Sequence, residues 1–429
     1  MRILYVVHQF HPESSSGTEK FLLNLASSMQ RSGHHADIVT YSFSERSDFR
    51  PSGSLLVKHY QYKGISVIGV RHDRIPIDIN TSLENSAVFS FAKQVLGNQS
   101  RSYDLVHMVH PMRLASFATA AGEIGIPYML TLTDFWMICP KVNLHTSFHT
   151  QCSGPGGGVI CSQWCPELRP GLITSRLKAA HEMLRGAEAI VVPSHLVDAM
   201  VRKEFSELML RVIPHGLVLD EFKIDWRTHE KGANLVFAYC GGLSAHKGVD
   251  VLIKAFRSLE DQNVQLHIYG TSSRFEQDFE KGLRKAAGQD DRIKFCGPYR
   301  EEEVGKVFQA IDALVIPSLC YESYSFTLHE ALASRVPVIA SAIPCLDEKI
   351  EDSVTGLIFR VGDAEDLADR LRSVASDPAK LDRMKQNIRS SSVSRIEEEA
   401  YLYERIYKGV IMENRAHREP TGGHVDSPA

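Results

Sequence analysis

Long apolar runs are missing from this 429-residue sequence. None approaches the roughly 18 residues a helix needs to cross a bilayer. The one stretch that resembles an export signal, Ile3-Leu4-Tyr5-Val6-Val7 after Met1-Arg2, is too short. It runs directly into polar His8-Gln9, so it reads as a buried first strand and the expected compartment is the cytoplasm. A strong charge of either sign is also missing: 48 Lys and Arg face 52 Asp and Glu, a formal net charge of −4. That leaves no electrostatic footprint for nucleic acid. The eight cysteines include no Cys-x2-Cys pair, so the usual spacing of a structural zinc site is lacking. The first strand is not followed by Gly-x-Gly-x2-Gly, which argues against a nicotinamide dehydrogenase.

What is present is the balance of a globular protein, with 43% apolar and 23% charged residues. The length exceeds one ordinary core, and two domains of roughly 200 residues each are expected. Short apolar runs alternate with helical patterns, the mark of βαβ units and parallel sheets. In the first half, strands are expected at Ile3–Val7, Ala36–Thr40, Asp104–Val109, Tyr128–Thr131 and Ala189–Val192. An amphipathic helix spans Gly17–Ser32, and residues 42–65 read as loop or edge structure. A second series begins near Asn234. Its strands are Leu235–Tyr239, Gln265–Tyr269, Ile293–Cys296, Ala313–Ile316 and Val338–Ala340. Its helices are Val249–Leu259, Phe275–Gly288, Glu302–Ile311, Thr327–Ser334 and Asp366–Ala375. Polar Asp220–Gly232 is the linker candidate, and the tail 413–429 is expected to lack fixed structure. In such sheets ligands sit at the carboxyl ends of the strands, so the chemistry belongs in loops facing an interdomain cleft.

The strongest chemical signal is the run from Pro317 to Ala333, which leaves a strand and enters a helix. Glu322 lies in the loop and Glu330 in the helix. The backbone N–H groups of Ser325, Phe326 and Thr327 form an anion site at the helix start. Two flanking carboxylates cannot hold phosphate, but they accept hydrogen bonds from hydroxyls, one set on a hexose and one on a ribose. That combination describes a nucleotide sugar. A second loop, Tyr239 to Gly248, places Gly241 and Gly242 for close backbone approach and supplies Lys247 for a diphosphate. A charge-assisted contact of this kind contributes roughly 1.5–3 kcal/mol.

Glu322-x7-Glu330, with its Pro317-Ser318 lead and Val336-Pro337-Val338 downstream, resembles the retaining glycosyltransferases of the GT-B fold, family 4. Gly241-Gly242-Leu243-x3-Lys247-Gly248 is similar to that family's phosphate loop. Ser16-Gly17-Thr18-Glu19 and Val212-Ile213-Pro214-His215-Gly216 resemble its first loop and its hinge. The resemblance covers about residues 1–412. It implies an α/β chain of two Rossmann-like domains facing a central cleft, with residues 1–222 on the acceptor side and 233–393 binding the donor. A helix at about 394–410 would return to the first domain. Glu322 would hold the donor sugar and Glu330 the ribose. Lys247, Gly241, Gly242 and the Ser325–Thr327 segment would hold the diphosphate, with Gly17 approaching from the other domain. His110 would stand near the reaction centre, with His107 as competitor. The implied activity is transfer from a UDP- or GDP-sugar to a glycan or lipid-linked acceptor with retention, without a metal or other cofactor. The chain departs from the family pattern where Gly242 stands in place of Arg, Thr133 in place of His and His215 in place of Asn.

Other readings stand beside this one. A sugar-nucleotide epimerase, or a non-catalytic protein that binds sugar nucleotides, would use similar loops. Glu19 reads as a first-turn acid favoured by the helix dipole. Cys240, Cys296, Cys320 and Cys345 read as reduced core thiols. Cys139, Cys152, Cys161 and Cys165 could ligate a structural metal or remain free thiols. Arg176, Lys178 and Arg185, interleaved with Leu172, Leu177 and Leu184, could rest on the inner face of a membrane or form a solvated helix face.

Overall fold

The computed structural model describes residues 1–169, 171–222, 234–273, 276–388 and 393–418. Most of the expected linker, Phe275 at the head of one expected helix, and residues 419–429 lie outside the described residues.

Two sheets carry the molecule. The first contains β1 (Arg2–Val7), β2 (His35–Tyr41), β3 (Arg50–Ser52), β4 (Leu55–Tyr62), β5 (Ile65–His72), β6 (Leu105–Met108), β7 (Tyr128–Thr131), β8 (Ala189–Val192) and β9 (Arg211–Val212). Their spatial order is β3-β4-β5-β2-β1-β6-β7-β8-β9. From β5 to β9 every pairing is parallel, whereas β3 and β4 form an antiparallel margin. That margin is the edge structure foreseen for residues 42–65. The second sheet contains β10 (Leu235–Cys240), β11 (Val264–Tyr269), β12 (Ile293–Gly297), β13 (Ala313–Ile316), β14 (Val338–Ser341) and β15 (Gly356–Phe359), all parallel, in the order β12-β11-β10-β13-β14-β15. The central strands β1, β6, β10 and β13 are apolar almost without interruption because both their faces are covered.

The helices of the first half are α1 (Gly17–Arg31), α2 (Ser86–Leu96), α3 (Ser116–Ile124), α4 (Val159–Trp164), α5 (Leu172–Arg185) and α6 (His195–Glu204). Those of the second are α7 (Val249–Arg257), α8 (Gln277–Ala287), α9 (Val304–Gln309), α10 (Phe326–Ala333), α11 (Pro344–Asp347), α12 (Ala364–Ala375), α13 (Ala379–Asn387) and α14 (Ile396–Arg418). One face of the first sheet packs on α2, α3, α5 and α6, and the other on α1 and α14. In the second sheet α7, α8, α12 and α13 cover one face, and α9, α10 and α11 the other.

The chain crosses between the halves twice at one place. Leu217 N–H donates to Ser394 O at 2.9 Å and Ile396 N–H donates to Leu217 O at 3.0 Å, so the outgoing and returning segments pair side by side. After the crossing, α14 lies against α1, with Tyr403 and Tyr407 fully buried. The helix also continues beyond its expected end. Residues 413–418, expected to lack fixed structure, are helical because they contain no helix breaker and the first proline after them is Pro420.

Candidate active site

The loop after β13 and the loop after β10 are neighbours because their strands pair. They are also locked together. Leu319 N–H donates to His246 O at 2.9 Å. Gly248 has φ +68°, and a Cβ there would lie 1.9 Å from the carbonyl oxygen of Pro317. Only glycine can occupy that position.

This lock brings Lys247 to Glu322. The ammonium Nζ donates to Oε1 at 2.7 Å, and Ser318 Oγ donates to the same oxygen at 2.5 Å. Burial disfavours both charges. The pairing outweighs it, holding the Glu322 carboxyl below and the Lys247 ammonium above their ordinary values. Gly241 N–H donates to Tyr269 O at 3.0 Å. Gly242 faces open space, with no heavy atom within 4 Å of an added Cβ.

Glu330 is buried in α10, and its Oε1 accepts from Lys20 Nζ of α1, across the cleft. The start of α10 is unusual. Ser325 sits in the left-handed region at φ +61°, a conformation costly for a side chain. His329 Nδ1 donates to Ser325 O at 2.9 Å and so holds the turn. The His329 ring stacks on Tyr324 at 4.1 Å, and the Tyr324 hydroxyl donates to His215 O. The His215 ring in turn lies parallel to Phe326, with centroids 5.4 Å apart. These buttresses set the first-turn amides of Phe326 and Thr327, which as in any helix have no intrahelical acceptor.

The opposite domain closes on this turn. A Cβ on Gly17 would stand 3.2 Å from the Phe326 ring, so the first turn of α1 abuts that of α10. Ser323 Oγ donates to Thr133 O at 2.7 Å, Ser194 Oγ donates to Ser323 O at 2.7 Å, and Thr18 Oγ1 donates to Thr133 Oγ1 at 2.9 Å. The structure thus gathers Gly17, Lys247, Glu322, Ser325, Phe326, Thr327 and Glu330 at one interdomain seam.

The two candidate histidines separate cleanly. His110 is buried in the wall of the first domain. Its Nδ1 accepts from Met112 N–H at 3.3 Å, so its Nε2 carries the proton donated to Asp134 Oδ2 at 2.8 Å. Asp134 follows Thr133, and the pair links His110 to the Ser323 loop. His107 is instead a core group. Its ring nitrogens meet Tyr407 OH and Thr131 Oγ1, each at 2.8 Å, and burial holds it neutral with a pKa of about 3. Glu19 is buried and accepts from Ser16 N–H at 2.7 Å, as a capping acid does.

Two expectations change. Arg176 does not face outward. It is buried, donates to the carbonyls of Thr81 and Met137 at 3.1 and 3.0 Å and to that of Trp136, and stacks 4.4 Å from the Trp136 ring. Leu177 and Leu184 are buried with it, so that face of α5 is unavailable to a membrane. Cys296 is exposed because β12 is an edge strand, whereas Cys240, Cys320 and Cys345 are buried. Cys139, Cys152, Cys161 and Cys165 are buried free thiols, and burial pushes Cys139 up to about 11 and Cys161 to about 12. Among the described residues no group of three or more His, Cys, Asp or Glu is arranged to hold a metal ion. Sequence reasoning missed Lys20, Asp134, Tyr324 and His329. Tyr324 and His329 lie inside the quoted donor segment, but their buttressing role has no sequence signal.

Two α/β halves, each built on a largely parallel sheet and meeting at one seam, have the GT-B fold. The family model for glycosyl transferases group 1 matches residues 220–391, and that for the glycosyl transferase 4-like domain matches residues 16–216. The chain belongs to the group 1 glycosyl transferases and is an enzyme of that class. It is 32% identical over 387 residues to a D-inositol 3-phosphate glycosyltransferase of Corynebacterium aurimucosum, covering 85% of this chain and 83% of the relative. The D-inositol 3-phosphate glycosyltransferase of Corynebacterium glutamicum is 31% identical, with 86% of each chain covered. Similar folds are found in Anabaena HepE in complex with UDP and glucose, with TM-score 0.69, 18% identity, and 95% and 99% of the two chains covered. The sucrose-phosphate synthase of Thermosynechococcus elongatus gives TM-score 0.69 at 18% identity, with 96% and 99% covered. Neither the epimerase nor the non-catalytic reading finds support among these relatives. No helix of the described residues is long and apolar enough to cross a membrane.

Proposed function

We propose that this enzyme transfers a hexosyl unit from a UDP- or GDP-sugar to a hydroxyl of a glycan or lipid-linked glycan in the cytoplasm, with retention of configuration. The observation that carries the reading is the Lys247–Glu322 pair set beside the free amides of α10, with Gly17 of the other domain against Phe326. The donor's diphosphate lies on Lys247 and the amides of Phe326 and Thr327. Its ribose hydroxyls donate to Glu330 and its sugar hydroxyls to Glu322.

As the C1–O bond to the diphosphate breaks, negative charge develops on the departing phosphate oxygen. Lys247 and the amides stabilise that charge, which is worth more in the transition state than in the ground state. The acceptor hydroxyl bonds to C1 from the face the phosphate leaves, and its proton passes to the departing phosphate. This internal return supports retention without a covalent nucleophile. The Asp134-paired His110 orients the acceptor side. The reading assigns the charge to protein groups rather than to a metal, so transfer should survive EDTA.

Incubation with a panel of radiolabelled nucleotide sugars tests the activity, with acceptors that include an inositol phosphate, the substrate class in the relatives' name, and lipid-linked glycans. NMR of the product's anomeric configuration tests retention, and an inverted product would overturn that step. Glu330→Ala should weaken nucleotide binding by roughly 10–100-fold, the weight of a charged hydrogen bond. Glu322→Ala should lower turnover by roughly 100-fold or more with a smaller effect on nucleotide affinity. Unchanged kinetics in both variants would remove the assigned site.

A further inference from the structure

We propose that Lys20 is a second diphosphate-binding cation, delivered to the donor from the acceptor-side domain, and that its ion pair with Glu330 is the contact it exchanges for the phosphates. The inference rests on the donor site of the proposed function and goes beyond it by naming a ligand group from the opposite domain.

Lys20 Nζ pairs with Glu330 Oε1 and lies 5.6 Å from the centroid of the Phe326 ring, at the turn whose amides would meet phosphate. Gly17 and Lys20 are three residues apart on α1 and therefore share a face. Gly17 already abuts Phe326. One face of α1 thus offers bare backbone and an ammonium to the start of α10.

At the seam, two ion pairs, Lys247–Glu322 and Lys20–Glu330, sum to zero. A bound diphosphate adds negative charge on both phosphates, and Lys247 is already paired with a carboxylate 2.7 Å away. A buried Glu330 deprived of Lys20 would be left uncompensated unless something else donates to it. Ribose hydroxyls do that. Once they occupy Glu330, the flexible four-carbon stem of Lys20 can turn its ammonium from the carboxylate to the phosphates. The exchange needs both halves of the ligand: hydroxyls to free Lys20 and phosphate to receive it. Because Lys20 arrives with α1, it also couples donor binding to closure of the domains.

The alternative is an ion pair that only fastens the two domains. Calorimetric titration of the full chain distinguishes them, using UDP, UMP and uridine, and GDP, GMP and guanosine. The proteins are the wild type, Lys20→Met, Lys20→Arg and Lys247→Met, with thermal melts to confirm folding. On the proposal, Lys20→Met weakens the diphosphate by roughly tenfold or more, does not weaken the nucleoside, which no longer has to displace an ammonium from Glu330, and lowers the salt dependence of diphosphate binding. Lys20→Arg retains most of the affinity. Equal weakening of diphosphate and nucleoside, or tighter binding of the diphosphate by Lys20→Met, would overturn it. If Lys247→Met loses the preference for diphosphate and Lys20→Met does not, the inference fails while the donor site stands. If the wild type binds no nucleoside diphosphate, the donor site fails and takes the inference with it.

Discussion

At Gly248 one hydrogen atom keeps the two donor loops in contact. A methyl group there would meet backbone, the Pro317 carbonyl at 1.9 Å, in a φ of +68° that L side chains adopt only at a cost. Backbone cannot swing aside as a flexible side chain can, so the loops must part, and Lys247 leaves Glu322. Gly248→Ala should therefore destabilise by roughly 2–4 kcal/mol, combining left-handed strain with a displaced loop, and should abolish nucleotide binding. Gly242→Ala, whose added methyl meets nothing within 4 Å, should cost less than about 1 kcal/mol. Thermal denaturation and nucleotide titration of the two variants check this contrast. Two variants of equal stability would mean that the loops are not locked at Gly248.

The elements show what a sequence can and cannot disclose. Gly17, Lys247, Glu322 and Glu330 were legible because each lies in a strand–loop–helix unit, where apolar period and glycine punctuation mark the local geometry. Contacts made by unrelated segments were not legible. Lys20 meets Glu330 from 310 residues away, and His107 meets Tyr407 from 300 residues away. Helix α14 is the clearest case. Its existence and its return to the first domain were expected, but its inner face proved to be a polar network inside an apolar core. His107 is joined to Tyr407 and Thr131, Thr131 Oγ1 pairs with Tyr403 OH at 2.9 Å, and Tyr407 OH donates to Tyr5 OH at 3.4 Å. A histidine in a strand beside the cleft looks catalytic until that helix is in place. Tyr407→Phe keeps the ring and removes the hydroxyl, leaving His107 Nδ1 unpaired where no water reaches it. The variant should lose about 1–3 kcal/mol of unfolding free energy by denaturant titration, and wild-type stability would contradict the network.

Over the whole molecule, the buried imidazoles determine how stability responds to acid. Burial lowers His107 to about 3 and His329 to about 4, against about 6.5 for a free imidazole. A base whose pKa is depressed by folding binds fewer protons folded than unfolded between those values. Its stabilising effect is complete above about pH 6.5 and is lost as pH falls toward about 4 and then 3. The two together steepen the decline by up to about 3 kcal/mol per pH unit. Glu19 and Glu399, raised by burial, act in the opposite sense and reduce that slope. The Lys247–Glu322 pair is intact throughout, because Glu322 is depressed and weakens only below about pH 4.5, while Lys247 is raised and weakens only above about 10.5. Stability should therefore begin to fall just below pH 6.5, before the site's own charges change. Denaturant titrations at half-unit intervals from pH 7.5 to 4.5 would show it, and a flat profile would mean that these rings are not buried and neutral. His329 separates this decline from function. Its Nε2 is buried with no hydrogen-bond partner, so a proton there has no compensation and works against the ring that holds Ser325 in its strained turn. Because the folded ring takes up that proton only near pH 4, nucleotide affinity should hold down to about pH 5 while stability falls, and His329→Gln should flatten the stability curve alone. Affinity that fell together with stability over that range would mean that the folded ring takes up its proton well above pH 4.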